Sequence, residues 1–245
     1  TSSPRYSTGY AAARNRAALL VETHSLKTFK TRVWSHFDIM AVTLEAMAEA
    51  GPQLRKASLD ADRAMEAIKP GDAIFLQGEP AGAGEPYVAR RLKSETYVSP
   101  VSGAPVVRYL AEPQNDQTNL IRTMKPVYTP PAPMGYIVPP AWASIVNLLK
   151  THGIAHEAIE REVAGEFVWS KFQNPQFAAQ PFEGRFLVRS FETVETHKPG
   201  AIPAGSLWVP LAQQAGKLVM HILEPEAPDS ALRWGFFHPI FEQKE

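Results

Sequence analysis

The sequence predicts a short α/β segment followed by a larger α+β domain whose strands pair mostly antiparallel. Proline marks the change between them, because three of the 22 prolines lie in the first 79 residues and 19 in the other 166. Before the change, a short apolar run precedes a long segment of helical periodicity. After it, the apolar segments are short and rich in β-branched and aromatic residues, which favours strands.

The first predicted element is a buried strand over residues 17–21, Ala-Ala-Leu-Leu-Val, which ends at Glu22. An uninterrupted apolar run of this length suits a strand covered on both faces. From Ser25 the apolar residues advance by three and four positions, which puts them on one helix face. They are Leu26, Phe29, Val33, Phe37, Met40, Leu44 and Met47. We expect this helix to pack on a sheet and to end at Gly51-Pro52, with a second helix over 53–67.

A domain boundary is expected at the turn Lys69-Pro70-Gly71-Asp72, which divides the chain into domains 1–70 and 71–245. One helix is predicted in the second domain, over 140–151, with Pro in its first turn and Gly153 just beyond its end. Predicted strands lie at 73–76, 96–98, 106–110, 167–169, 186–189 and 217–220.

The composition excludes several classes of function. The 25 Lys and Arg balance the 25 Asp and Glu, so no basic excess favours nucleic acid or an anionic membrane surface. There is no Cys, which removes thiolate nucleophiles, disulfides and Cys-ligated zinc. The sequence also lacks a P-loop, a G-x-S-x-G elbow, a dinucleotide-type glycine loop and H-E-x-x-H.

Two pairs of residues that include histidine have the spacing of metal ligands. His152 and His156 are four apart, but Gly153 between them breaks the helix that would bring them together, so we expect His152 to cap the helix end. His221 and Glu224 form H-x-x-E, a spacing used by zinc peptidases. The alternative, which we favour, makes His221 a polar position within a strand over 217–223 and places Glu224 at the polar end of that strand.

Glu22 is the remaining candidate catalytic residue. A carboxylate between a strand and a helix lies at a sheet edge where α/β active sites collect, although such a residue is more often solvated or a helix cap. The segment around it runs from Ser7-Thr8-Gly9-Tyr10 through Arg14-Asn15-Arg16-Ala17-Ala18-Leu19-Leu20-Val21-Glu22-Thr23-His24-Ser25-Leu26-Lys27. This stretch and the following helix resemble the last strand and last helix of the zinc metallocarboxypeptidase fold, in its larger bacterial members. The closing stretch, Leu223-Glu224-Pro225-Glu226-Ala227-Pro228-Asp229-Ser230 with Arg233-Trp234-Gly235-Phe236-Phe237, is similar to the tail of the same proteins.

The resemblance implies that 1–70 is the C-terminal end of a carboxypeptidase-like catalytic domain. It implies a zinc-dependent exopeptidase acting on peptides, in which Glu22 is the general base, and it favours a periplasmic or secreted location. Tyr10 would correspond to the tyrosine that closes over substrate, or else is an aromatic packed in a turn. The family's zinc ligands precede this region, so we expect a piece of a longer protein that holds no zinc by itself and is inactive alone. Arg16 is expected to act as an anchor through a salt bridge or carbonyl contact.

Two other readings stay open at this stage. Residues 71–245 could form a noncatalytic binding or scaffolding domain, with Trp142, Trp169, Trp208 and Trp234 supplying recognition surface instead of buried core. A self-contained metalloenzyme would need His152, His156 or His221 to converge with further ligands. A strand and helix cut from a larger sheet would expose apolar surface, so we also expect a homodimer through residues 17–50.

Overall fold

The computed structural model describes residues 3–25 and 27–242. These residues form a mixture of helices and antiparallel strand pairs, which confirms the general fold class. The helices are α1 (Ser7–Ala13), α2 (Phe29–Glu66), α3 (Ala143–Thr151) and α4 (Gly216–Leu223), with a short 3-10 helix at His238–Phe241. The strands are β1 (Gln77–Ala81), β2 (Glu85–Val98), β3 (Pro105–Leu120), β4 (Thr123–Tyr128), β5 (Gly135–Val138), β6 (Glu157–Ala158), β7 (Val163–Phe177), β8 (Val188–Ile202) and β9 (Leu207–Pro210).

The strands form small sheets instead of one large one. β1 pairs with β4, β2 with β3 and β7 with β8, and the order β5-β9-β6 makes a three-stranded sheet. β2–β3 and β7–β8 are long two-stranded ribbons whose strands have 14 to 16 residues. Within the described residues, none of the helices is both long and apolar enough to cross a membrane.

The chain divides into two compact units. One contains residues 1–77 and 128–245, and the other contains residues 78–127, which include the β2–β3 ribbon. The expected division into the C-terminal end of a carboxypeptidase-like catalytic domain over 1–70 and an α+β C-terminal domain over 71–245 stays a prediction.

The core of the first unit lies where α3 and α4 pack with the β5-β9-β6 sheet. Ile145, Leu149, Val209 and Met220 are fully enclosed there. Gly216 is the first residue of α4, and its backbone lies close to that of Leu211. A Cβ on it would lie 2.1 Å from the Leu211 carbonyl oxygen. The end of α2 joins this core through Met65.

The prediction of a buried strand over 17–21 is wrong. These residues form an extended coil whose side chains are mostly exposed, with Leu19 and Leu20 more than half accessible. A strand buried on both faces needs hydrogen-bonded neighbours and covering helices, and no described strand pairs with this segment. The α/β remnant therefore does not form as a sheet in this chain.

The long helix is confirmed, but its predicted end and packing are wrong. α2 begins after Thr28, whose hydroxyl accepts from the Thr31 amide at 3.3 Å, and it continues through Pro52 to Glu66 as one helix of 38 residues. The predicted apolar face is exposed instead of packed on a sheet, with Phe29 74% and Leu44 67% accessible. Leu26, the first residue of that face, lies outside the described residues.

Most of the second-domain predictions are confirmed. Segments 96–98, 106–110 and 167–169 lie in β2, β3 and β7, part of 186–189 starts β8, and the helix over 140–151 forms as α3. Gly153 adopts φ +61° just after α3, as expected for a helix end. The prediction of a strand over 217–220 is wrong, because these residues belong to α4. Segment 73–76 makes an isolated bridge at Ala73 instead of a strand.

Candidate functional site

A cavity of about 520 Å³ lies in the first unit between α1, α3, α4 and the segment 229–236. Its walls are mainly apolar, and Trp234 and Phe236 contribute rings. The polar side chains that line it are Arg5, Ser7, Tyr10, His152, His221 and Asp229. It is therefore a partly open pocket that combines apolar walls with several polar groups.

Tyr10 and His152 meet across this cavity. α1 presents Tyr10, whose hydroxyl lies 3.0 Å from Nδ1 of His152, and the two ring centroids are 5.4 Å apart. His152 is the residue after α3, and its carbonyl oxygen accepts from Arg14 at 3.0 Å. Burial lowers the pKa of His152, and the nearby Arg14 charge lowers it further. His152 is the C-cap of α3, as expected: its backbone N–H donates to the Leu148 carbonyl at 3.1 Å, while its side chain bonds to Tyr10.

His221 is the most enclosed polar group of the cavity. It lies on α4 with 6% of its surface accessible, and its Nδ1 has no hydrogen-bond partner among the described residues. Burial lowers the pKa of His221 to about 4, the Lys217 charge acts in the same direction, and Asp229 opposes them. The imidazole is therefore neutral at pH 7.

The charged groups at the cavity rim already have partners. The Asp229 carboxylate accepts from the Arg5 backbone amide at 3.0 Å and from Nε1 of Trp234 at 2.5 Å. The Arg5 guanidinium pairs with Glu183 and lies 5.0 Å from the centroid of the Trp234 ring. Burial disfavours the charged form of both histidines, and the Arg5 and Asp229 charges in the lining are of opposite sign.

Glu224 belongs to a separate cluster. Its carboxylate accepts from Tyr136 at 2.9 Å and from Tyr128 at 3.2 Å. Burial raises the pKa of Glu224 despite these two hydrogen bonds, and the Glu195 and Glu226 charges raise it further. Burial likewise raises the pKa of both tyrosines above the ordinary value. The H-x-x-E spacing thus places His221 in the cavity and Glu224 on two tyrosines.

The structure places the two predicted site residues differently. Glu22 is exposed in the coil between α1 and α2 and does not line the cavity. Tyr10 does line it, with its hydroxyl engaged by His152. The catalytic role of Glu22 and the substrate role of Tyr10 stay predictions.

The histidine pairs do not form a metal site. His156 donates from Nδ1 to its neighbouring Ile154 carbonyl at 2.8 Å. In the part of the chain that the structure describes, no three His, Asp or Glu side chains form a group that could hold a metal ion. The residues present therefore do not fit the zinc that the resemblance implies, and the self-contained metalloenzyme reading has no ligand set.

Sequence reasoning identified Tyr10, His152 and His221 singly but missed the cavity that joins them. Tyr10 and His152 are 142 residues apart, so local spacing carried no sign of their contact. The one usable signal was a histidine within the apolar run Lys217-Leu-Val-Met-His-Ile-Leu, where burial of the ring was foreseeable.

The chain is distantly similar to fungal carboxypeptidases. It is 28% identical over 125 residues to carboxypeptidase 2 of Trichophyton equinum, a match that covers 48% of this chain and 23% of that protein. Carboxypeptidase 2 of Trichophyton tonsurans is 28% identical over 122 residues, covering 47% of this chain and 22% of its own. The chain thus matches less than a quarter of the length of these relatives. No family model matches the chain, and no solved structure matches it.

These matches suggest a carboxypeptidase-related, peptidase-like protein and no finer class. The relatives are fungal, so the expected likeness to bacterial members has no support from them.

Proposed function

We propose that this chain is the C-terminal portion of a zinc-dependent, metallocarboxypeptidase-like exopeptidase and that Glu22 is its general base. The distant similarity to fungal carboxypeptidases supports a peptidase, and the Leu-Leu-Val-Glu-Thr-His-Ser-Leu-Lys stretch supports the role of Glu22. In this proposal the zinc ligands belong to polypeptide N-terminal to Thr1, as they do in the family.

In this proposal the role of Glu22 is proton transfer. Its carboxylate accepts a proton from the attacking water and returns it to the leaving amine, so that one side chain serves both steps. Zinc supplies the activation of that water in such enzymes. Because the described residues provide no metal site, we expect the chain alone to be inactive.

The exposed apolar surface of the segment 17–50 supports the proposal. Leu19, Leu20 and the predicted face of α2 leave large apolar side chains in solvent, which a folded unit ordinarily covers. This is the surface expected where an extended segment and a helix lack the sheet on which they would pack.

The first test uses the chain as it is. We expect the purified chain to bind no stoichiometric zinc by calorimetry and to release no C-terminal residues from peptides. One tightly bound zinc per chain together with enzyme-like hydrolysis would overturn the proposal.

The second test uses the polypeptide that joins this chain to its natural upstream sequence. Glu22→Gln should lower kcat by about 10²- to 10⁴-fold, because the amide accepts no proton. Glu45→Gln, at an exposed position on α2, is the matched control and should leave kcat unchanged. An active Glu22→Gln enzyme would refute the assignment of the base.

A noncatalytic binding role for residues 71–245 is the second candidate function. The cavity bears on this role, since His152, His221 and the rings of Trp234 and Phe236 come from that part of the chain, while Pro4, Arg5, Ser7 and Tyr10 complete the lining.

A further inference from the structure

Arg5 is held by three kinds of contact with residues far along the chain. Its guanidinium pairs with the Glu183 carboxylate, and it lies 4.8 Å from the Phe182 ring centroid and 5.0 Å from that of Trp234. Its backbone N–H donates to the Asp229 carboxylate at 3.0 Å. Aromatic rings and a carboxylate suit the planar, charged guanidinium, and the second carboxylate binds the main chain beside it. Side chain and backbone of one arginine are therefore bound together. We call these partners the Arg5 site; they are Phe182, Glu183, Asp229 and Trp234.

A tight hairpin turn presents the Glu183 carboxylate. Phe182 and Arg185 exchange two backbone hydrogen bonds, of 2.9 and 3.1 Å, around Glu183 and Gly184. The two central residues have φ of +49° and +77°, which is typical of a two-residue hairpin turn but uncommon for glutamate. The turn is closed by its own backbone, so the position of Glu183 does not depend on Arg5.

The rest of the Arg5 site is also held by contacts that do not involve Arg5. Nε1 of Trp234 donates to Asp229 at 2.5 Å, and the Trp234 amide donates to the Ser230 carbonyl oxygen at 3.0 Å. The centroids of the Phe182 and Trp234 rings are 6.2 Å apart. The site is thus preorganised, which lowers the ordering cost of binding a ligand.

The segment that fills the site is a local turn. The Tyr6 amide donates to the Ser3 carbonyl oxygen at 3.0 Å, and Pro4 takes the second position of this turn, where proline is favoured. Arg5 follows it and is 178 positions from Glu183. Because the turn is closed within four residues, we expect a short peptide of the same sequence to adopt it.

We propose that the Arg5 site is a binding site for an arginine residue of a peptide chain, which Arg5 occupies within this chain. An arginine-bearing segment of another polypeptide binds there when residues 3–6 leave. The inference rests on the second candidate function, a binding role for residues 71–245, and names its ligand class. It needs neither zinc nor Glu22, so its failure and a failure of the exopeptidase proposal are distinguishable.

The test uses the full chain with Arg5→Ala, which empties the site, and the peptide acetyl-Ser-Pro-Arg-Tyr-amide. We expect saturable binding with Kd on the order of 1 mM and a shift of the Trp234 indole N–H resonance in an NMR titration. The wild-type chain should bind at least about 10-fold more weakly, because Arg5 competes at a high effective concentration. Arg161→Ala, which removes an exposed arginine elsewhere, is the matched control and should behave like wild type.

Two comparisons test the chemistry of recognition. Acetyl-Ser-Pro-Lys-Tyr-amide should bind Arg5→Ala about 5- to 10-fold more weakly, since lysine lacks the planar fork of donors. Adding Glu183→Gln to Arg5→Ala should weaken binding of the arginine peptide about 10-fold, because the amide carries no charge. Adding Glu162→Gln, at an exposed position before β7, should not. Equal binding of the two peptides, or no effect of Glu183→Gln, would refute the site.

Arg5→Lys keeps a cation at position 5 and guards against an Arg5→Ala protein that does not fold. The arginine peptide should displace the lysine side chain and bind this variant more tightly than it binds wild type. Absence of saturable binding to the folded variant would overturn the proposal and leave the pocket between α1, α3 and α4 as the basis for a binding role.

Discussion

Asp62 is the buried charge of the first unit with the most complete set of partners among the described residues. Arg16 donates to both of its oxygens at 2.8 and 2.9 Å, Gln214 donates at 2.7 Å and Asn15 at 3.2 Å. The Arg16 hydrogen bonds are the main cause that lowers the pKa of Asp62 to about 2, and the two amides contribute. This carboxylate therefore ties the segment after α1 to α2 and to the residues before α4.

The pH dependence of stability follows from that pKa. The folded value lies below the unfolded value of about 3.9, so the contribution is present above pH 4 to 5 and is lost as pH falls toward 2. We expect Asp62→Asn to lower the free energy of unfolding by about 1–3 kcal/mol at pH 7 and to weaken this acid dependence, measured by urea unfolding. Asp60→Asn, at an exposed position that pairs with Lys56, should change stability little. Equal acid sensitivity in wild type and Asp62→Asn would contradict the assignment.

The same cluster shows how far single residues could be predicted. Arg16 was expected to anchor a strand through a salt bridge or a carbonyl contact; it makes the salt bridge with Asp62, a partner that was not foreseen, but the strand does not form. Asp62 is 46 residues away on a helix that carries other carboxylates, and nothing in local spacing distinguishes it from Asp60. The cavity was missed for the same reason, since its polar groups come together only through tertiary contacts.

At the scale of elements, Pro52 lies inside α2 and gives a second test. Proline removes the hydrogen bond to the carbonyl of Ala48 and its ring crowds that turn, a cost of about 3 kcal/mol in a helix interior. We expect Pro52→Ala to raise the free energy of unfolding by up to about 3 kcal/mol, measured by circular dichroism at 222 nm in urea. Pro70→Ala removes a proline from the turn after α2 and should give no gain, because there proline only restricts the unfolded chain. A Pro52→Ala protein no more stable than wild type would contradict this account of α2.

The sequence predicted correctly whether a segment is helix or strand where its apolar spacing or its composition favoured only one of the two. α2 and α3 followed from three- and four-residue spacing, and β2, β3 and β7 from β-branched and aromatic content. α4 was not predictable in this way, since the five apolar residues among 217–223 fit a buried strand or a buried helix equally. The error over 17–21 has a different cause, because a run suited to a buried strand forms one only where other strands pair with it, and no described strand pairs with this segment.

At the scale of the whole molecule, α2 presents more apolar surface than an isolated chain ordinarily leaves in water. The eleven large apolar side chains that it exposes are Phe29, Val33, Trp34, Phe37, Ile39, Met40, Val42, Leu44, Met47, Leu54 and Leu59. If each leaves on the order of 100 Å² accessible, they total on the order of 1,000 Å². A standard interface buries about 800 Å² on each partner, so this helix alone offers enough surface for a dimer.

We therefore expect the isolated chain to self-associate through residues 17–50, and light scattering after gel filtration should give the mass of a dimer at micromolar concentration. Replacing Val33, Phe37 and Met40 together by Lys should shift the protein to monomer, because like charges would then face one another across the interface. Val101→Lys, at a turn position that is 95% accessible, is the matched control and should leave the dimer intact. A monodisperse wild-type monomer would contradict this prediction while leaving the catalytic assignment of Glu22 untouched, since the two depend on different residues of the same segment.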